Sequence, residues 1–150
     1  MSNLDRYDEA IIKLLATDGR LTVTELARRT GLSKSPCQVR LKRLQKDGYI
    51  LGFRAVLNQK LMGQEHIAFT EVKLSDTREA ALSAFNEAVK GVPEIEQCHM
   101  IAGAFDYLLK VRTGDMTAYR KILGETVSTL PHVASTSTFV VMESIVDKGF

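Results

Sequence analysis

SKSPCQVRLKRLQKDGY, residues 33–49, decides how the first part of the chain folds. Five bases (Lys34, Arg40, Lys42, Arg43, Lys46) stand against one acid, Asp47. The Ser33 hydroxyl is suited to accept a backbone N–H at a helix start. Pro36 falls in the first turn, where a missing N–H is tolerated. Gly48 is suited to end the helix. Between these ends Cys37, Leu41 and Leu44 recur at helical spacing and form one apolar face. Ser35, Gln38, Lys42 and Gln45 line another face, flanked by Arg40, Arg43 and Lys46. A helix with one buried face and a basic, amide-bearing outer face suits a DNA major groove. A merely solvated basic helix would carry similar charges, so the preceding residues decide between the two.

Those residues read as two more helices. Asp5 is placed to cap the first, with Asp8 and Glu9 near the positive end of its dipole. Ala10, Ile11, Leu14 and Leu15 make its apolar stripe, and Asp18-Gly19-Arg20 its stop. A short second helix opens at Thr22 or Thr24 and runs to Gly31. Small Ala27 permits close helix approach, and Leu21, Val23, Leu26 and Leu32 supply a shared core. Helix, tight glycine turn and basic helix is the helix-turn-helix arrangement. On this reading residues 33–46 are a recognition helix.

Charge distribution agrees. Residues 1–60 hold twelve bases and six acids, whereas 61–150 hold eight bases and twelve acids. Only the first part is expected to meet a polyanion. The 150 residues allow one domain or two small ones, with 45% apolar and 25% charged content typical of a globular chain. No stretch is long and apolar enough for a membrane span, and MSNLDRYDEA lacks the apolar core of a signal peptide. The expected setting is the cytoplasm, at the nucleoid. Cys37 and Cys98 make neither a disulfide framework nor a zinc spacing, and Cys37 falls on the apolar face. His66, His99 and His132 are scattered, without metal-ligand spacing or an orienting acid. There is no glycine-rich phosphate loop. We expect no enzyme, cofactor or metal.

After Gly48 the pattern turns β-prone. Residues 49–57 read as a wing or as a strand-like exit, and 58–65 as a linker. The expected domains are 1–60 and 61–150. The second reads strand, helix, strand, strand, helix, strand. Its segments are Ile67 to Leu74, a helix through Leu82, Phe85 and Val89, Ile95 to Ala102, and Phe105 to Arg112. A helix from Asp115 to Leu130 and a strand over Val133 to Met142 complete it. The last strand alternates through Val133, Ser135, Ser137, Phe139 and Val141. The fold class is α+β: a winged helix-turn-helix followed by a βαββαβ, ferredoxin-like domain. One helical layer leaves the other sheet face bare, and a second subunit is the expected cover.

In order along the chain, LDRYDEAIIKLLATDGR (4–20), TELARRTGLS (24–33), SPCQVRLKRLQKDGYI (35–50), GAFDYLLKV (103–111), DMTAYRKILGE (115–125) and TSTFVVMES (136–144) resemble the Lrp/AsnC, or leucine-responsive, family of transcription regulators. The resemblance covers nearly the whole length. Pro131-His132 departs from the proline-glycine usual there, which touches the turn before the last strand. The resemblance implies a DNA-binding domain followed by a ligand-sensing domain that dimerises. It further implies assembly of dimers to octamers or similar rings. An amino acid effector, leucine or proline, would bind near subunit contacts. A nucleoid-type protein that wraps DNA with little ligand response is the alternative.

On double-stranded DNA, Ser35, Gln38 and Lys42 are expected at base edges. Lys34, Arg40, Arg43 and Lys46 are expected at phosphates, with pairing inside the domain a rival role for Arg40. For the effector, Gly103 permits close approach to the backbone, and Asp106 could accept a bond from an α-ammonium group. Turn glycine and backbone-bonded carboxylate is the plainer reading of these two, and the resemblance favours ligand binding. By the same resemblance Met100, Met116 and Val140 line an apolar pocket bordered by Tyr107, although both methionines also fit core packing.

Overall fold

The computed structural model describes residues 4–149 and divides the chain into two units, Met1–Val56 and Leu57–Phe150. Met1–Asn3 and Phe150, included in the expected domain spans, lie outside the described residues.

The first unit holds α1 (Arg6–Thr17), α2 (Val23–Thr30) and α3 (Lys34–Lys46). A reciprocal capping box opens α1: Asp5 accepts the Tyr7 and Asp8 N–H groups, and Asp8 accepts the Asp5 N–H. Thr22 caps α2 by accepting the Glu25 N–H at 3.2 Å. Gly31 ends it in the left-handed region at φ 73°, and the Leu32 N–H returns to the Ala27 carbonyl at 2.9 Å. Ser33 occupies the cap position of α3, but its hydroxyl makes no capping bond. Pro36 stands at the third helical position and has no N–H to give it.

Ile11, Leu26, Cys37 and Leu44 are fully buried, with Leu15 and Ala27 nearly so. Each such leucine or isoleucine contributes roughly 1.5–3 kcal/mol by leaving water. Leu21, Val23, Leu32, Leu41 and Ile50 pack around them. The β-prone stretch 49–57 forms no strand, and Leu51 and Val56 are largely exposed. A lone extended segment has no ladder for its N–H and C=O groups, so β propensity by itself does not make a strand there.

The second unit runs β1 (His66–Leu74), α4 (Glu79–Val89), β2 (Ile95–Met100), β3 (Tyr107–Thr113), α5 (Met116–Glu125) and β4 (Val133–Val140). The strands form one antiparallel sheet in the order β2-β3-β1-β4. Ala68, Val72, Leu74, Tyr107, Leu109 and Val111 share a core with Phe85 and Val89 of α4 and Tyr119 of α5. Among the described residues no helix is long and apolar enough to cross a membrane.

Two expectations shift here. The second helix stops at Glu125, and a separate 3₁₀ turn, Val127–Thr129, follows it. In β4, Thr136 and Thr138 lie opposite Val72 and Thr70, while Phe139 pairs with Phe69 and is half exposed. The register slips at Lys73/Leu74, between Val133 and Ser135 of β4. One extra residue moves all later side chains to the opposite face. Val133 and Phe139 therefore do not serve one face.

Candidate DNA interface and effector site

Helical geometry gathers Ser35, Gln38, Val39, Lys42 and Lys46 into an arc of about 100° on α3. All five are exposed. Cys37, Leu41 and Leu44 face the opposite side, into the core. Lys34 and Gln45 border the arc and are exposed as well. The three lysines make no ion pair among the described residues, so their ammonium groups stand open to an anion. Sequence reasoning missed Val39, which is 68% exposed in the middle of this polar surface. Its offset of two residues from Cys37 turns it away from the apolar face, and that offset was the available signal.

Arg40 and Arg43, expected at phosphates, are both engaged by acids at the start of α1, which for Arg40 is the rival role. Arg40 Nη1 donates to Asp5 Oδ2 at 2.7 Å and to Asp8 Oδ1 at 2.9 Å. Arg43 Nη2 donates to Asp8 Oδ2. The Arg40 guanidinium also lies 5.3 Å from the Tyr7 ring centre. Asp8 is 1% exposed and would be a costly buried charge without these partners. Burial works to raise its pKa, but Arg43, the Asp5 N–H and Arg40 outweigh that and hold it below the usual value. The Asp8 N–H, with Arg40 and the Tyr7 N–H, likewise lowers Asp5. Both arginines thus tie α3 to the start of α1. On α2, Arg28 and Arg29 bracket Glu25 at 2.6 and 2.7 Å and hold its carboxyl down to about 2.

The six expected effector residues divide into two groups. Met100 ends β2 opposite Tyr107, which pairs with Val72 near the end of β1. Gly103 and Asp106 follow in the connection at that end. Val140 pairs with Ala68 near the start of β1, and Met116 opens α5 just beyond Thr113, the partner of His66. Ala68 and Val72 lie four residues, roughly 13 Å, apart along the strand. One subunit does not bring these side chains together.

Exposure separates them further. Met100, Met116 and Val140 are 57%, 45% and 45% exposed, so neither methionine is core. Gly103 is exposed too. Tyr107 is corrected: it is 2% exposed, its ring lies 4.3 Å from Phe85, and its hydroxyl donates to Asn86 Oδ1 at 2.7 Å. A side chain held this way is a core residue, not a pocket rim. Asp106 precedes β3 instead of lying on it. Its Oδ2 accepts the Leu74 N–H at 2.7 Å, its N–H donates to the Val72 carbonyl, and its carbonyl accepts the Ile101 N–H. The carboxylate expected to meet an ammonium group uses Oδ2 to fasten the β2–β3 connection to β1.

Comparison with known proteins agrees with both units. Residues 4–50 match the model of a winged helix-turn-helix DNA-binding domain, and residues 67–149 that of the Lrp/AsnC ligand binding domain. A proline dehydrogenase transcriptional activator of Rhizobium radiobacter is 62% identical over 98% of this chain and 94% of its own. The leucine-responsive regulatory protein of Escherichia coli K12 is 45% identical over 95% of this chain and 87% of its own. A transcriptional regulator from Neisseria meningitidis, solved in complex with L-Met, superposes with a TM-score of 0.90. It is 31% identical and aligns over 97% of this chain and 94% of its own. The chain belongs to the Lrp/AsnC family: it is a DNA-binding transcription regulator with a ligand-binding second domain, not an enzyme.

Proposed function

We propose that this regulator reads DNA through the exposed arc of α3 and is switched by an amino acid held between subunits. Ser35, Gln38 and Lys42 meet base edges, Val39 packs on a thymine methyl group, and Lys34 and Lys46 contact phosphates. The working unit is a homodimer joined through the sheet face that carries no helix, with dimers assembling to an octamer or similar ring at the cytoplasmic nucleoid. Ile67, Phe69, Leu108 and Phe139 belong to that face by strand register, together with Lys110 and Arg112, which pair with Glu96 and Asp147. Unpaired apolar sheet faces are stable only when covered.

The division of the effector residues carries the effector half of the reading. Met100 and Gly103 at one end of the sheet, and Met116 and Val140 at the other, are exposed and apart. A site that needs both groups needs two chains, so a ligand there feels the assembly directly. Binding shifts assembly only if the ligand favours one state. Leucine and proline are the leading effectors, since relatives carry those amino acids in their names. Thermal-shift screening of the twenty amino acids, followed by sedimentation velocity with the best binder, tests this. A binder that changes the sedimentation coefficient is expected. A binder that leaves the assembly unchanged would refute the shared site, and no binder would favour architectural DNA wrapping.

A further inference from the structure

The acid pair on α1 bears on how DNA is read. Of the five bases on α3, Arg40 and the more exposed Arg43 are paired with carboxylates at the start of α1, and the three lysines make no ion pair among the described residues. Asp8 reaches both arginines across 32 and 35 residues of sequence, with Asp5 as second acceptor for Arg40. Neither arginine lies in the exposed arc: helical geometry puts Arg43 about 40° beyond its edge and Arg40 about 100° beyond. A guanidinium free on that flank would be a strong, sequence-blind phosphate ligand. Sequence-blind contacts raise affinity for every duplex alike and lower the ratio of specific to non-specific binding.

We propose that Asp8 is a positioning and specificity-determining residue: it holds Arg40 and Arg43 against α1, withholding them from DNA phosphates. Recognition then falls to the side chains of the arc, and α3 is fixed to α1 at the angle the arc requires. The inference rests on DNA reading by α3 but makes a separate demand on the salt dependence of binding.

The test uses the full chain and two duplexes, one of random sequence and one selected from a random library by the unmodified protein. Affinity is measured across salt concentrations. Asp8→Asn keeps the shape and removes the charge. On the random duplex its plot of log affinity against log salt is expected to steepen by about 0.9 for each arginine that gains a phosphate. The preference for the selected duplex falls about tenfold. Asp8→Glu is expected to restore part of that preference. Arg43→Gln, with Asp8 intact, leaves the slope unchanged, because Arg43 contributes no phosphate contact. An unchanged slope in folded Asp8→Asn, or a slope shallower by about 0.9 in Arg43→Gln, overturns the proposal. If Asp8→Asn does not fold, the Arg43→Gln slope decides alone. Loss of binding to both duplexes by an Arg43→Gln protein that is folded also overturns it. Failure of the unmodified protein to prefer any selected duplex would instead refute reading by α3.

Discussion

The Tyr119 hydroxyl lies 2.9 Å from Thr70 Oγ1, joining α5 to the central strand β1 inside the core. Thr70 and Tyr119 are both 0% exposed. The same hydroxyl lies 2.5 Å from Thr138 Oγ1, so the chain of hydroxyls continues into the edge strand β4. The slipped register of β4 is what brings a threonine to that place.

Tyr119→Phe leaves the buried Thr70 hydroxyl without this partner. A cost of about 1–3 kcal/mol follows from the desolvated group left unpaired. Urea unfolding should show a lower midpoint for the second unit, with the first unit unaffected. An unchanged midpoint would mean that the hydroxyl chain contributes nothing.

His132 takes φ 64°, the left-handed region, just before β4. Its carbonyl accepts the Ser75 N–H at 2.8 Å, a bond that needs no side chain. His132→Gly removes a backbone penalty of about 1–2 kcal/mol and adds unfolded-state entropy worth roughly 0.5–1 kcal/mol. The net expectation is stabilisation by up to about 1.5 kcal/mol. His132→Val, β-branched at a positive φ, should destabilise. Thermal melting in the order Gly above His above Val checks this, and any other order contradicts it.

The α1 acids set an acid response. The folded pKa values of Asp5 and Asp8 lie below the ordinary value of 3.8. Depressed values mean that the folded state binds fewer protons than the unfolded one, so stability falls as pH falls. The contribution is fully present above the ordinary value and is lost as pH drops through the depressed folded ones. The melting difference between the unmodified protein and Asp8→Asn should be flat from pH 7 to about 4 and shrink below that. A difference that already shrinks between pH 7 and 5 would contradict this assignment.

Val39 gives a test at the level of single atoms. Replacing thymine by uracil removes only the C5-methyl group from the major groove. At one position of a selected half-site this should weaken binding about 5- to 10-fold, at the low end of the roughly 1–3 kcal/mol range for one specific contact. Val39→Ala should be weaker on the thymine site and indifferent to the replacement. Equal sensitivity of both proteins at every position would remove the contact.

The order of elements was readable because their causes are local. Asp5, Thr22 and Asp115 cap helices within three residues of themselves, and Gly31 ends α2 where a left-handed residue is required. The α3 arc was readable for the same reason, from the spacing of Ser35, Gln38 and Lys42. The 49–57 stretch misled because β propensity reports side-chain fit to a sheet, and no partner strand completes it in that unit.

By itself the sequence determined three helices, the βαββαβ order, the basic outer face of α3 and the family. Caps, periodicity and charge act over a few residues, so one chain read in order displays them. Tertiary structure decided which charges are free, which face each β4 side chain takes, and where the effector residues lie. Asp8 meets Arg43 across 35 residues, a slipped register turns Phe139 outward, and strand pairing parts Met100 from Val140. Such pairings depend on how distant segments pack, and residue spacing carries no record of them.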